Sequence, residues 1–540
     1  MLLSNLDVLA TAPGGVARLR ELILTLAVQG KLVAQDPADE PAGELLKKIR
    51  AEKDRLIAEG KIRRDKPLAA IADEEKPFAL PVGWEWVRFG EIAGIERGGS
   101  PRPIEAFLTN DPEGLNWIKI GDTEKGGKYI TSAGQKIKKE GLVKTRMVFP
   151  GDFLLTNSMS FGRPYITHIQ GCIHDGWLRI SPPESLDKDF LYALLSSRFV
   201  RSVFEAAAAG GVVLNLNADK VRTVPIPLPP LPEQSRIVTR VEALMRLCDA
   251  LEAKGQLEAA QHAQLVSTLL GALTASATPE ELADHWQRVA QHFDLLLDRP
   301  AAIDALEQTL LQLAVRGLLA TQSPADDPVN IGDPSRSPGQ IPLSWSYVRF
   351  DDVLTDLRYG TSVKCGYDIT GTPVIRIPNL RLGRIDTGDL KFGVLDDREQ
   401  EKLRLERGDL LIVRSNGSAS LVGSAALVDV DSEGFAFAGY LVRVRLNRHY
   451  IEPEYMTLMM QTLDIRRQIE GPIRTTSGVK NINSTEISGL SFALPPLAEQ
   501  SRIVTRVTAL RQLCADLRQR LAEREAVQAR LAEALVQEVA

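Results

Sequence analysis

Cysteine and histidine are scarce in this sequence. Four cysteines stand among 540 residues, none of them in a CxxC pair, which excludes a disulfide-bonded scaffold and a zinc-finger framework. The six histidines show no spacing typical of metal ligands. We therefore predict that the chain binds no metal ion and folds in a reducing compartment.

Features of exported and membrane proteins are also missing. The first residues lack the basic segment and the long apolar run of a signal peptide. The longest stretch without Asp, Glu, Lys or Arg, 259–279, is diluted by Gln, His, Ser and Thr. That composition is typical of a packed helix rather than a membrane span. These absences predict a cytoplasmic protein.

An excess of basic charge is absent. The chain has 65 Lys and Arg residues against 70 Asp and Glu residues, which gives a net charge of −5. A surface coated in positive charge is excluded, so any contact with nucleic acid must come from local patches. A length of 540 residues, with 44% hydrophobic and 25% charged residues, predicts a folded protein of at least two domains.

Motifs for catalysis are missing. The sequence has no GxxxxGK[ST] phosphate loop, HExxH zinc motif, GxGxxG cofactor turn or GxSxG elbow. It also lacks an NPPY or DPPY tetrapeptide, which amino-methyltransferases use to hold a flipped base. Asp152 and Asp409 occupy matching positions, but each follows a glycine before an apolar run, which favours a turn role. We predict no catalytic residue and no enzyme activity.

What the sequence does contain is an internal repeat. LPPLPEQSRIVTRVEALMRLC at 228–248 and LPPLAEQSRIVTRVTALRQLC at 494–514 share 17 of 21 residues. Before them, LPVGWEWVRF resembles IPLSWSYVRF, PGDFLLTNS resembles RGDLLIVRS and LNLNADKV resembles KNINSTEI. The residues between these landmarks diverge, which predicts two copies of one domain with a common framework and different surfaces. Trp84 and Trp345 match, and we expect them to pack in that framework.

A third repeated segment lies outside both domains. LAVQGKLV at 26–33 resembles LAVRGLLA at 313–320, and each precedes one of the duplicated domains. The helical stretch after the first domain runs on to its own copy of this segment, whereas the stretch after the second domain ends at residue 540. We therefore predict a circularly permuted duplication, in which the N-terminal segment completes the second helical unit.

An apolar seam follows each proline-rich junction. Apolar residues alternate at spacings of four and three, which is typical of coiled-coil helices. A helix over 233–274 would be about 60 Å long at about 1.5 Å per residue. The two seam cysteines are expected to be small core residues. The seam, which could also bind a partner, comprises Ile237, Val241, Leu244 and Cys248 in the first copy, and Ile503, Val507, Leu510 and Cys514 in the second.

These patterns predict an α/β plus all-α fold: two mixed α/β domains separated by long antiparallel coiled-coil-like helices. Apolar runs after the Gly-Asp turns predict strands, and 188–208 and 452–470 predict helices inside the domains. The expected segments are an N-terminal helical segment, a first domain, a central helical region, a second domain and a distal helix, at 1–77, 78–235, 236–338, 339–500 and 501–540.

Basic and amide side chains, which contact phosphates and base edges, cluster within both domains. Residues 115–146 hold eight basic residues against three acidic ones. The alternatives are a solvated charged face for the basic cluster and turn formation for the asparagines. The candidate DNA contacts in the first domain are Lys119, Lys125, Lys128, Lys136, Lys138, Lys139, Lys144, Arg146, Asn157, Arg163 and Asn217. Those in the second domain are Arg376, Asn379, Arg381, Arg384, Arg414, Asn416, Arg474, Thr475, Lys480 and Asn481.

The central helical region differs from the domains in charge. Residues 236–338 hold eight basic residues against fourteen acidic ones. Such a surface is unsuited to phosphates and better suited to a protein partner.

Taken together, the sequence resembles the specificity subunits of type I restriction–modification systems. ELLKKIRAEKDRLIAEGKIRRDKPL followed by FALPVGWEWVRFGEI resembles that family's N-terminal helix and the start of its first target-recognition domain. The LPPLPEQSRIV and LPPLAEQSRIV junctions resemble the boundaries of its conserved regions. The resemblance covers essentially the whole chain.

The resemblance implies a DNA-binding subunit without catalytic activity. Each recognition domain would read one half of an asymmetric, bipartite site in double-stranded DNA. The helices would set the spacing and dock two methyltransferase subunits, to which restriction subunits add. S-adenosylmethionine would be bound by the methyltransferase partner, and this chain would need no cofactor. The DNA-reading residues of the family vary between members, so the resemblance assigns no individual contact.

Two other classes of function stay open at this point. A DNA methyltransferase or nuclease would need a cofactor or metal motif that the sequence does not display. A structural adaptor would use the helices to dock proteins and the α/β domains as spacers. Divergent basic surfaces on a common framework favour DNA recognition over both.

Overall fold

The computed structural model describes residues 6–60, 67–124, 126–157, 162–208, 216–381, 383–471, 474–476 and 479–539. The chain forms two compact units. The first unit comprises residues 1–257 together with 525–540, and the second unit comprises residues 258–524. Each unit contains one α/β domain and a part of each of the two longest helices.

The first unit contains two five-stranded sheets and a two-stranded ribbon. Its helices are α1 (Leu6–Thr11), α2 (Gly15–Val28), α3 (Ala42–Ala58), α4 (Phe89–Ile92), α5 (Lys188–Ser196), α6 (Arg198–Ala208), α7 (Ala218–Thr223) and the start of α8 (Leu231–Ala275). Its strands are β1 (Glu85–Arg88), β2 (Gly94–Arg97), β3 (Leu108–Thr109), β4 (Leu115–Ile118), β5 (Tyr129–Ile130), β6 (Gln135–Ile137), β7 (Arg146–Val148), β8 (Phe153–Thr156), β9 (Pro164–Thr167), β10 (Gly171–Ile173), β11 (Trp177–Ser181) and β12 (Pro225–Leu228). The sheet orders are β3-β6-β4-β10-β7 and β2-β11-β8-β9-β5, and β1 pairs with β12.

The second unit contains sheets of six and three strands and a similar ribbon. Its helices are α9 (Pro279–Gln291), α10 (Phe293–Leu296), α11 (Pro300–Val315), α12 (Asp397–Leu403), α13 (Pro453–Met459), α14 (Leu463–Glu470), α15 (Ser484–Ser488) and the start of α16 (Leu497–Val539). Its strands are β13 (Ser346–Arg349), β14 (Leu354–Tyr359), β15 (Thr372–Ile375), β16 (Leu380–Arg381), β17 (Arg384–Ile385), β18 (Lys391–Gly393), β19 (Leu410–Val413), β20 (Ser415–Asn416), β21 (Ala425–Leu427), β22 (Ala436–Phe437), β23 (Leu441–Leu446), β24 (Arg474–Thr476), β25 (Val479–Asn481) and β26 (Ser491–Leu494). The sheet orders are β14-β23-β19-β21-β17-β16, β18-β15-β22 and β20-β25-β24, and β13 pairs with β26.

The two domains share a central three-stranded arrangement. β11 pairs antiparallel with β2 and β8, and β23 pairs in the same way with β14 and β19. The buried strands β8 and β19 each follow a Gly-Asp turn, where Gly151 and Gly408 have φ of 92° and 91°. Side chains rarely adopt such angles, so glycine is favoured there. Asp152 and Asp409 each accept the backbone N–H three residues earlier, at 2.9 and 2.8 Å, which confirms the predicted turn role.

The start and the end of each domain pair with each other. β1, from WEWVRF, runs antiparallel to β12, from the proline-rich junction, and β13 pairs with β26 in the same way. The chain therefore leaves each domain beside the point where it entered. The long helices begin directly afterwards, at Leu231 and Leu497, a few residues before the predicted helical segments.

Three of the four seam residues in each copy are buried in their unit. The first copy packs with α2, and the second copy packs with α11 and with Trp345. Cys248 and Cys514 are both buried and free of disulfides. Leu244 and Leu510 are half-buried and pack against the same cores. The long helices are therefore stabilised by the packing of their apolar stripe. Intrinsic helix propensity alone would not supply this stability.

The two ends of the described chain meet in the first unit. Ala532 of α16 lies in the core formed by α2 and α8, and Arg18 Nη1 donates to the carbonyl of Ala529 at 2.8 Å. In the second unit, Val266 of α8 lies in the core formed by α11 and α16. Each long helix thus contributes its start to one core and its end to the other, as a circularly permuted duplication requires.

Two predicted helices are each divided in the structure. Residues 188–208 form α5 and α6, and residues 452–470 form α13 and α14. The divisions fall at Ser197 and Thr462, whose side-chain oxygens accept helix N–H groups three residues later, at 3.3 and 3.4 Å. Ser and Thr are favoured at this capping position, so they start a new helix where hydrophobic spacing indicates one continuous helix.

Membrane-spanning helices and metal-binding clusters are absent from the described part of the chain. None of the described helices combines the length and the apolarity needed to cross a bilayer. Within the same residue ranges, no group of three or more His, Cys, Asp or Glu side chains could hold a metal ion.

Candidate nucleic-acid interface

A buried tryptophan–glutamate pair, here called the clasp, joins each domain to its long helix. Trp84 Nε1 donates to Glu233 Oε2 at 2.9 Å, and Trp345 Nε1 donates to Glu499 Oε2 at 2.9 Å. Both glutamates are at most 1% exposed, and the second oxygen of each has no hydrogen-bond partner among the described residues. Burial therefore raises the pKa of both carboxyl groups. The same clasp in both units fixes each domain on its helix.

An ion pair lies beside each clasp. Arg236 contacts Asp39 at 2.6 Å, and Arg502 contacts Asp326 at 2.5 Å. The arginines come from the repeated EQSR sequence, and the aspartates come from PADE and PADD. Sequence reasoning missed both aspartates and the clasp glutamates. Their recurrence at matching positions in the two repeats is the signal that could have identified them.

A second ion pair has opposite polarity in the two units. Arg20 of α2 contacts Glu252 of α8 at 3.1 Å, whereas Glu307 of α11 contacts Arg518 of α16 at 2.6 Å. Arg20 and Glu307 each lie ten positions before the glycine of their own LAVxG segment. Glu252 and Arg518 each lie four positions after the cysteine of their own seam. The positions are therefore equivalent and the charges are exchanged. We call these the reversed ion pairs.

The basic candidates of the first domain follow β6, β7 and the turn between them. Lys139 and Lys144 are exposed in that turn. Lys136 and Lys138 donate to backbone carbonyls of the same domain, at 2.6 and 2.9 Å. These bonds hold two ammonium groups close to the surface. A phosphate could accept hydrogen bonds from the N–H groups that remain free.

The other basic candidates of the first domain are less available. Lys128 and Arg146 lie within 2.6 and 3.8 Å of carboxylates, which partly neutralise their charge. Lys119 and Arg163 are half-buried. Lys125 lies outside the described residues.

A cleft of about 720 Å³ opens beside Lys119. Its wall includes Trp117, His174 and residues 100–104. Burial lowers the pKa of His174, so this imidazole is neutral at pH 7. Both ring nitrogens of His174 face backbone N–H groups, those of Gly176 at 2.8 Å and Ile120 at 3.1 Å, so the imidazole forms part of the wall. The Lys119 ammonium and the Arg102 guanidinium are the charged groups that the cleft could offer to a phosphate or a base edge. Arg102 and His174 were not among the candidates predicted from the sequence.

Several candidates of the second domain come together on one three-stranded sheet, here called the polar sheet (β20-β25-β24). Asn416 of β20 pairs with Lys480 of β25, which also pairs with Thr475 of β24. Asn481 pairs with Arg474. Strand pairing therefore places backbone positions from two distant parts of the sequence, near 416 and near 474–481, side by side.

The remaining candidates of the second domain lie on other strands. Arg381 and Arg384 are exposed on β16 and β17, at the edge of the six-stranded sheet. Arg376 contacts Asp389 at 3.4 Å, and its guanidinium lies 6.0 Å from the ring centre of Tyr367. These arginines form a patch distinct from the polar sheet.

Three candidate asparagines serve the framework. Asn157 is 2% exposed, and its amide nitrogen donates to the carbonyl of Asp175 at 2.7 Å. Asn379 is also 2% exposed and bonds to three backbone groups of its own turn. Contrary to expectation, the amides of these two residues are used inside the domains and are not offered to DNA. Asn217 is exposed, but its side chain caps α7.

Comparison with known proteins identifies the family. The sequence profile of the type I restriction modification DNA specificity domain matches residues 81–261. The chain is 32% identical to the type I restriction enzyme EcoEI specificity subunit of Escherichia coli, over 96% of this chain and 93% of that protein. It is 31% identical to the EcoAI specificity subunit of Escherichia coli, with the same coverage. The chain therefore belongs to the family of type I restriction enzyme specificity subunits.

A solved structure supports the same fold. This structure concerns complex assembly and conformational transition of the type I R-M system, and the match covers 86% of this chain and 99% of that chain. The TM-score is 0.53 at 19% sequence identity, so the similarity concerns the fold. The prediction of mixed α/β domains with long helices is confirmed. With the family established, the chain is a DNA-recognition subunit of a type I system and not itself an enzyme.

Proposed function

We propose that the chain recognises an asymmetric, bipartite site in double-stranded DNA, with one half read by each α/β domain. One observation carries this proposal: the two domains share the clasp, the Gly-Asp turn and the central strands, but differ in the polar residues that surround this framework. The first domain offers lysines around β6 and β7, whereas the second offers the polar sheet and a separate arginine patch. Two different surfaces on one framework suit two different half-sites.

The helices set the distance between the half-sites and dock two methyltransferase subunits, to which restriction subunits add. Leu247 of α8 and Leu513 of α16 occupy matching positions in the repeat and are 38% and 59% exposed. Equivalent exposed surfaces on two copies of one helix suit two identical partners. S-adenosylmethionine is bound by the methyltransferase partner and not by this chain. The complex acts on DNA in the cytoplasm.

Exchange of one domain tests this proposal. Residues 89–224, between β1 and β12, would be replaced by the corresponding segment of a relative with a different target. Both clasps and both ribbon strands then stay native. Selection of bound duplexes from a random pool, with the methyltransferase subunits present, should show one altered half-site and one unchanged half-site. A change in both halves, or in neither, would contradict separate reading, and binding without sequence preference would favour an adaptor.

A further inference from the structure

The residue that follows the buried central strand is held in the same way in both domains. The Arg414 N–H donates to the carbonyl of Tyr440 at 2.9 Å, and the Arg414 carbonyl accepts the N–H of Ile482 at 2.9 Å. The corresponding two bonds hold Asn157 in the first domain, at 3.0 and 3.2 Å. The backbone position is therefore preserved while the side chain has changed, which is the behaviour expected of a position that sets specificity.

The side chain of Arg414 is positioned before any ligand arrives. Its guanidinium lies 4.7 Å from the ring centre of Tyr359, and its Nη1 lies 3.5 Å from the carbonyl oxygen of Gly439. Tyr359 is itself anchored, because its hydroxyl accepts the N–H of Ser484 at 2.9 Å. Because Nε is buried without a partner among the described residues and Nη1 already contacts Gly439, the fork between Nη1 and Nη2 is the part of the guanidinium that can donate two parallel hydrogen bonds to a ligand.

The charge of Arg414 is not neutralised within the described residues. Other arginines of the second domain, such as Arg443 and Arg445, contact carboxylates, but Arg414 forms no ion pair in the described ranges. It is half-buried and directly precedes the polar sheet, and the adjacent Tyr440 is 63% exposed. An oriented guanidinium without a carboxylate partner among the described residues is suited to an acceptor from outside the chain.

We propose that Arg414 reads a guanine in the half-site of the second domain, by donating two hydrogen bonds to its O6 and N7. This inference rests on the proposed function. Guanine presents two acceptors side by side in the major groove, and an arginine fork matches them in geometry. The inference does not extend to Asn157, since the amide of that residue is already bonded to the carbonyl of Asp175.

The test uses the full chain in complex with its methyltransferase subunits. Selection from random duplexes first defines both half-sites. Each base pair of the second half-site is then substituted in turn, and affinities are measured for wild type, Arg414→Ala and Arg407→Ala. Arg407 is exposed in the turn before β19, so the whole four-residue strand, about 13 Å long, separates it from Arg414. This control therefore removes the same charge at the opposite end of one element.

Wild type should prefer guanine at one position by about tenfold or more. Arg414→Ala should lose that preference alone, and Arg407→Ala should keep it. Replacing this guanine by 7-deazaguanine, which lacks the N7 acceptor, should weaken wild type and leave Arg414→Ala unaffected. Uniform weakening by Arg414→Ala with a shallower salt dependence would instead identify a phosphate contact and overturn the proposal. Unchanged preferences would overturn it as well. A wild-type complex without any second half-site would refute the proposed function itself, a result distinct from both.

Discussion

Replacing the clasp glutamate of one unit should destabilise that unit selectively. In Glu233→Ala, the buried N–H of Trp84 loses the acceptor that now lies at 2.9 Å. A buried donor left without a partner costs about 1–3 kcal/mol, and the variant is relieved of burying a carboxylate. Because the second effect offsets part of the first, we expect a net loss of about 0.5–2 kcal/mol in the free energy of unfolding. Glu233→Gln keeps an oxygen acceptor and should lie within about 1 kcal/mol of wild type at neutral pH.

The clasp also predicts a pH dependence. Because burial raises the pKa of Glu233 above its unfolded value, the folded state binds a proton more readily than the unfolded chain. The stability that this proton contributes is fully present below about pH 4.3, the usual glutamate pKa, and is lost as the pH rises through the folded-state pKa. Glutamine binds no proton in this range. The stability of Glu233→Gln relative to wild type should therefore increase with pH across this interval.

Urea denaturation measures the total change, and hydrogen–deuterium exchange locates it. Glu233→Ala should lower amide protection in β1 and β12, while β13 and β26 of the second unit serve as the internal control. Glu499→Ala should produce the opposite pattern, since its clasp has the same geometry. Equal loss of protection in both units, or a glutamine variant as unstable as the alanine variant, would refute the assignment of stability to the clasp.

Three further predictions concern charge and length. Arg20→Glu should lower the free energy of unfolding by about 1–2 kcal/mol at low salt. An exposed ion pair contributes up to about 1 kcal/mol, and the new glutamate would also repel Glu252. Adding Glu252→Arg should restore part of that loss in thermal denaturation, and salt should shrink both effects. Neutralising Lys136, Lys138 and Lys139 together should weaken DNA binding and flatten the plot of log K against log[salt], whereas an unchanged slope would identify them as solvated bystanders. Four residues added to the middle of α8, with a matching insertion in α16, add about 6 Å of helix. Selection should then yield weaker binding to sites with a gap longer by about one to two base pairs, and an unchanged gap would show that the helices do not set it.

Local patterns were predicted well because the chain repeats them. The seam, the Gly-Asp turns and the proline-rich junctions each depend on residues close in sequence, and duplication makes such residues visible twice. The clasp differs, since Trp84 and Glu233 are separated by 149 positions and only folding of the whole domain brings them together. The polar sheet is likewise non-local, because it pairs Asn416 with Lys480.

Residue type alone also failed to predict whether some polar side chains face the solvent or the interior of their domain. An amide suits the edge of an adenine and suits buried backbone groups equally well. Asn157 and Asn379 were therefore expected at the DNA surface, whereas both are buried and bonded within their domains. By contrast, Lys136, Lys138, Lys139 and Lys144 lie near the surface, as the cost of burying an unpaired ammonium dictates.

The reversed ion pairs have a consequence for folding during protein synthesis. The ribosome completes α2 and the start of α8 long before Ala532, which fills the same core. At about 5–20 residues per second, the 280 residues between Glu252 and Ala532 take roughly 15–55 seconds to make. During that time the first core stays open while a second, nearly identical seam emerges. Arg20 of α2 attracts Glu252 of α8 but would repel Arg518 of α16. The pairing of α2 with α8 is therefore favoured over a pairing of α2 with the same part of α16 when α16 is made. The exchanged charges would therefore favour the correct pairing of two similar helices while both are present in a single nascent chain.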